Sequence, residues 1–182
     1  MNLWLRLVWA LLSWRSRSRL SIWDVGVRTF RTWPSDLDIF NHMNNGKYPA
    51  LMDLSRFDLM LRSGTWGVLR KLNWYPVVVA ETITFRKSLA PWQTFEMESQ
   101  IAGWDAEGFL IDQRFTVAGE IYCQAWVRVR FLKNPRGIVT PEQIFEVFGK
   151  PTDGRQTPQW VLDWAKQTAL PKGKEPAPSL WG

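Results

Sequence analysis

Between Ser35 and Tyr48 the chain reads Ser-Asp-Leu-Asp-Ile-Phe-Asn-His-Met-Asn-Asn-Gly-Lys-Tyr. Two carboxylates, three asparagines, a glycine and the only histidine of the protein fall within this one stretch. A short polar loop running onto a helix presents free backbone N–H groups and the positive end of the helix dipole. Such a place can stabilise a developing oxyanion, with a carboxylate or an imidazole beside it to activate water. Asp and Asn are also ordinary turn and capping residues, so the same string is compatible with a plain loop-to-helix junction.

The flanking elements must hold that stretch in place. Ser21 to Trp33 is strand-like, with Trp23, Val25 and Val27 on one parity, and Pro34 ends it. After the loop, Leu51, Leu54, Phe57 and Leu61 recur every three or four residues, predicting a helix from about Asn45 to Ser63 with Gly64 as its stop. The β-branched run Tyr75 to Phe85 predicts a strand, and Arg86-Lys-Ser-Leu-Ala-Pro91 a turn. Phe95 to Trp104, Phe109 to Val117 and Ile121 to Leu132 read as three strands joined by short turns, an antiparallel meander. Thr140 to Phe148 and Thr157 to about Ala169 read as short helices, and Pro171 onward as a linker-like tail. Strand, loop, one long helix, strand and then a meander make an α+β layout, with the helix wrapped by one antiparallel sheet.

At 182 residues the chain is long enough for one domain with a real core. Its 46% hydrophobic and 22% charged content is that of a folded globular protein. The 13 tryptophans are too many for one core, so some are expected at a pocket, an oligomer interface or a lipid contact. A net charge of +6 suits anionic lipid or a phosphate-bearing small ligand, and no zinc-finger or RNP-type pattern supports nucleic acid. The single Cys123 excludes an intrachain disulfide and, with one histidine, no metal cluster is expected. Leu3 to Leu12 is apolar but interrupted by Arg6 and is followed by Arg15-Ser-Arg-Ser-Arg19. It is too short to span a bilayer comfortably, and two readings stand: a helix lying on an anionic membrane surface, or a terminal helix packed on the domain.

With Asp36-Leu-Asp38, His42-Met-Asn-Asn45 and Tyr48 in the loop, Arg86-Lys-Ser-Leu after the second strand and Gly103-Trp-Asp105 between later strands, the chain resembles the hotdog-fold acyl-CoA thioesterases of the 4-hydroxybenzoyl-CoA thioesterase type. It is most similar to the "member six" proteins of the thioesterase superfamily. The resemblance covers roughly Trp23 to Leu132 and implies hydrolysis of a thioester between an acyl group and coenzyme A or a carrier protein. It makes Asp38 the base or nucleophile and sets His42 beside it. Asn44, Asn45 and Gly46 then mark the donors to the thioester oxygen. Tyr48, Arg86 and Lys87 complete the expected substrate contacts, the two cations meeting coenzyme A phosphates. Where acyl-carrier-protein thioesterases place an asparagine two residues after the aspartate, this chain has Phe40. Asp36 reads as a cap or as a partner for a basic residue, and Asp53 as the rival carboxylate on the helix. No cofactor is implied, since coenzyme A enters as part of the substrate.

The expected organisation is an N-terminal hydrophobic and basic segment (1–20), a hotdog domain (21–150) and a C-terminal helix with its tail (151–182). A homodimer or homotetramer is expected, in the cytoplasm, with peripheral attachment to a membrane through the N-terminal segment as the alternative. The competing function is a non-catalytic acyl- or lipid-binding hotdog protein at a membrane surface. A hotdog dehydratase is disfavoured because no glycine-proline pattern follows the histidine.

Overall fold

The computed structural model describes residues 3–170 and 176–179. The first part of the expected tail, at 171–175, lies outside the described residues. Helix α1 (Leu3–Ser13) leads by a short 3-10 turn to strand β1 (Gly26–Arg31). That strand is shorter than the run from Ser21 because Asp24 folds the chain back. Its carboxylate accepts the Ser21 N–H at 2.7 Å while its own N–H donates to the Ser21 carbonyl at 3.2 Å.

Helix α2 (Lys47–Arg62) is the long helix that the periodicity predicts, and Leu51, Leu54 and Leu61 are buried on it. It stops at Gly64, whose φ of 75° is left-handed and open to glycine at little cost. Helix α3 (Thr65–Lys71), which no periodicity announces, follows at once. Then come β2 (Trp74–Phe85), β3 (Thr94–Trp104), β4 (Phe109–Val117) and β5 (Glu120–Lys133), all antiparallel, in the spatial order β1-β3-β4-β5-β2. The two-residue β6 (Ile138–Val139) pairs with β5. The meander β3-β4-β5 is the one expected.

Register sets which side chains meet α2. Met97, Ser99 and Ile101 of β3 stand opposite Phe115, Gln113 and Ile111 of β4, which in turn face Cys123, Ala125 and Val127 of β5. These rows are buried and form the core under α2. Two polar residues stand among them and are satisfied. Ser99 Oγ lies 2.9 Å from Ser55 Oγ, and Gln113 Nε2 donates to Ser99 Oγ at 2.7 Å and to the Met52 carbonyl at 3.2 Å.

Of the two C-terminal helices, the first packs on the α2 side of the sheet and the second covers its outer face. Helix α4 (Pro141–Phe148) is capped by Thr140 and packs Phe145 against Trp23, Trp104 and Phe109. Helix α5 (Gln159–Gln167) seats Val161 and Ala165 on Leu110 and Trp126. The chain entering α5 presses against β3 at Gly103, where a Cβ would lie 1.7 Å from Thr157 Oγ1. Only glycine fits there.

Helix α1 packs on the domain with Arg6 and Ala10 buried, while Trp4, Leu5, Val8, Trp9, Leu11 and Leu12 are exposed. Arg6 pairs with Asp36, and Arg17, Arg28 and Arg62 all converge on the buried Asp58. Asp36 is thus the partner for a basic residue that its position suggested, and it also accepts the Trp33 N–H at 2.9 Å. Among the described residues no helix is long and apolar enough to cross a membrane.

Candidate active site

The loop between β1 and α2 is a tight reversal built around Asp38. Leu37 and Met43 form a bridge, Asp38 N–H donates to the His42 carbonyl at 2.8 Å, and Asn41 turns the corner with φ of 61°. Asp38 Oδ1 accepts the N–H groups of Phe40 at 2.9 Å and of His42 at 3.2 Å. The other oxygen, Oδ2, has no hydrogen-bond partner among the described residues, and the side chain is half-buried. One oxygen thus fixes the carboxylate while the other is open for a proton or a carbonyl carbon. Ile39 and Phe40 form the tip and are 92% and 73% exposed. The His42 imidazole is exposed and has no hydrogen-bond partner among the described residues.

The donors at the start of α2 are not equivalent. Asn44 N–H donates to the Asp36 carbonyl at 2.8 Å, and Gly46 N–H to Asn44 Oδ1 at 2.8 Å. Among the described residues no acceptor faces the Asn45 N–H, which makes it the donor left for a ligand oxygen. A second anchor holds the loop to the sheet, since Met43 N–H donates to the Leu89 carbonyl at 2.9 Å.

Tyr48 belongs to the core and not to a ligand-facing surface. It is 1% exposed, with its ring 4.9 Å from Phe85 and 4.8 Å from Phe115. Burial pushes its hydroxyl up to about 12. It fixes the first turn of α2 under the loop. Arg86 and Lys87 sit at the end of β2, exposed, and both bind Glu120 at 2.8 Å. Their hydrogen bonds, Lys87 first, hold the Glu120 carboxyl below its ordinary range. These two cations are therefore largely compensated by a carboxylate of their own fold.

Beside α2 runs an apolar groove of about 460 Å³. Its walls are Leu54, Phe57 and Met60 of α2, Pro76 and Val78 of β2, Ile111, Val129 and Phe131 of the sheet, and Trp4 and Leu7 of α1. Its nearest helical residue, Ala50, lies only about 6 Å along the axis from the N-cap Gly46, at 1.5 Å of rise per residue. Asp53 and Arg56 are its charged residues, paired with each other, and Arg56 also donates to Gln113 Oε1. The sequence reading missed Arg56 and Gln113. The available signal was a glutamine on the buried parity of β4, between Ile111 and Phe115, which demands a polar partner.

The model of the thioesterase-like superfamily matches residues 32–165, from the end of β1 into α5. Among curated proteins, the chain is 29% identical over 133 residues to Protein THEM6 of Xenopus laevis, covering 73% of this chain and 63% of that one. It is 29% identical over 118 residues to the probable thioesterase YBR096W of Saccharomyces cerevisiae, covering 64% of this chain and 51% of that one. The chain thus spans between about half and somewhat under two thirds of the length of these relatives. Among solved structures, the YbaW probable thioesterase from Escherichia coli superposes with a TM-score of 0.64 at 18% identity, over 68% of this chain and 96% of that one. That likeness is one of fold, and the fold is the hotdog.

Proposed function

The chain belongs to the thioesterase-like superfamily, and from that premise we propose that it hydrolyses acyl-CoA, or an acyl group on a carrier protein, with Asp38 as base or nucleophile. The observation that carries this reading is the apolar groove along α2, which begins within about one helical turn of the loop that holds Asp38. An acyl chain laid in the groove would bring its thioester to the start of the helix. Asp38 Oδ2 would take the proton of an attacking water, and the Asn45 N–H would hold the oxyanion as the C–S bond breaks and the thiolate leaves. A thioester has weak resonance, so one positioned base and one oxyanion donor are chemically sufficient.

Assembly and location extend the same reading. The outer edge of β2 is open and carries exposed Tyr75, Val78, Val79 and Phe85, which suits pairing with the same strand of a second copy. The apolar outer face of α1, followed by exposed Arg15 and Arg19, suits a peripheral contact with anionic lipid. That same face favours the second reading, an acyl- or lipid-binding protein without turnover.

Release of free thiol from a panel of short and long acyl-CoAs tests the proposal. Wild type is expected to turn over at least one chain length, and Asp38→Asn to lose about a hundredfold or more of that rate, as loss of a general base does. Hydrolysis unaffected by Asp38→Asn would overturn the assignment of the base. Binding without hydrolysis across the panel would install the second reading.

A further inference from the structure

We propose that the pocket between α1 and the outer edge of β1 binds a phosphate, and that this phosphate is carried on the nucleotide end of the substrate's thiol carrier, an adenosine 3′-phosphate. The identity of the ligand rests on the acyl-CoA reading, whereas the phosphate site itself stands on the geometry below.

The pocket holds about 250 Å³ and is lined by Arg6, Arg28 and Arg31 with no carboxylate among its walls. Arg6 and Arg28 are 4% and 6% exposed, so two of these cations are fixed and poorly screened. The acids behind them do not balance the charge. Asp36 serves Arg6, while Asp58 is shared by Arg17, Arg28 and Arg62. With Arg31 included, five guanidinium groups stand over two carboxylates. Burial pulls the Arg28 guanidinium below its ordinary value, and Asp58 only partly offsets that pull. Arg31 donates its Nε–H to the Trp92 carbonyl at 2.9 Å and lies over that ring, and its terminal nitrogens have no acceptor among the described residues.

The backbone adds donors. The Val27 carbonyl accepts from Arg17 at 2.5 Å, and the Arg31 carbonyl accepts from Arg6 at 3.1 Å, so the odd-numbered residues of β1 face outward. Alternation then turns the N–H groups of Thr29 and Arg31 to the same outer edge. Guanidinium forks beside strand N–H groups make a phosphate site.

Trp9, Trp33 and Phe30 give that site flat walls, which a bare phosphate does not need and a purine does. The pocket is also tied to the candidate active site. β1 runs directly into the loop, and Asp36, the partner of Arg6, stands two residues before Asp38. Helix α1 walls both cavities, with Trp4 and Leu7 on the apolar groove and Arg6 and Trp9 on this pocket. A ligand with an acyl chain at one end and a phosphorylated nucleotide at the other matches the pair.

Calorimetric titration of the full chain with adenosine 3′,5′-bisphosphate tests this. Saturable binding is expected, weakened about tenfold or more by Arg31→Gln, the loss of one charge-assisted pair, with the melting temperature unchanged. Trp33→Leu is expected to weaken the bisphosphate while leaving inorganic phosphate unaffected. The proposal is overturned if the bisphosphate does not bind or if inorganic phosphate binds as tightly. It is equally overturned if Arg86→Gln with Lys87→Gln weakens binding and Arg31→Gln does not. Arg31-dependent binding to phosphatidic acid vesicles without binding to the bisphosphate would assign the pocket to a lipid headgroup instead. Because the titration needs no turnover, a chain that binds the bisphosphate and hydrolyses nothing refutes the hydrolase reading and not the site.

Discussion

Asp38 is held by backbone N–H groups and not by a counter-charge, which decides how its variants should behave. Asp38→Asn keeps an oxygen for Phe40 and His42, so the loop survives and only the chemistry goes. His42 differs, because its backbone makes the loop while its imidazole is exposed. His42→Ala is expected to change kcat less than tenfold if the ring only orients water, and as much as Asp38→Asn if it shares the proton. Asp53→Asn is the control for the rival carboxylate. Asp53 is 70% exposed and paired with Arg56, and its loss should alter KM through the groove more than kcat. Steady-state kinetics on the three variants separates these outcomes. Little of this division of labour was legible in the sequence. Asp36, Asp38 and His42 are visible as types, but nothing in a string says that Asn44 and Gly46 spend their donors within the loop while Asn45 keeps its own.

Two buried groups make stability depend on pH. Tyr48 moves from 10.0 to about 12 and Cys123 from 9.0 to about 12, both through burial, so the folded protein keeps protons that the unfolded chain has lost. Their contribution is fully present below about pH 9 and is lost as pH rises from there through about 12. The melting temperature should fall across that window, and Cys123→Ala should flatten the fall. An equally steep fall in Cys123→Ala would show that the thiol is not its source.

At the scale of elements, the meander was the most readable part. β3 and β5 alternate in sequence, and β4 runs from Phe109 to Val117 between the turns that bound it. α3 was invisible because its seven residues are too few to show a period and carry Gly67 in the middle. α1 is the instructive case. Arg6 reads as an interruption of an apolar run, yet in the fold it is buried with Ala10, while Trp4, Leu5, Trp9, Leu11 and Leu12 are outside. Likewise Arg17, one of a basic cluster in the sequence, turns inward to Asp58 at 2.6 Å, a contact spanning 41 residues that no local pattern reveals. An outer face of this kind predicts vesicle binding. Leu5→Ser with Leu12→Ser should abolish sedimentation with anionic vesicles and leave the melting temperature in place, since both side chains are exposed. A fall in melting temperature would mean that the face is covered by protein. Asp58→Asn tests the inner face. It strands three arginines and should cost about 3–5 kcal/mol in chemical denaturation, as breaking a buried pair does.

Seen whole, the sheet has two faces and two edges, and three of the four are already occupied. α2 fills the inner face, and α5 lies on the outer face over Leu110 and Trp126. Past α5 that face carries Asp112, Arg114 and Gln124, bonded to one another and poor ground for another protein. At the β1 edge, Arg6, Arg17 and Arg62 take the outward carbonyls of Val27 and Arg31. Only β2 is open. Light scattering should therefore give a mass twice 21.3 kDa, and Val79→Lys, a charge set on the exposed strand, should return it to one copy. The close approach at Gly103 and Thr157 then acquires a meaning beyond packing. By clamping the C-terminal helix across the back of the sheet, it would give the molecule a valence of one. Two copies joined edge to edge would then leave no edge strand unsatisfied and no bare sheet face to stack, so growth would end with the pair.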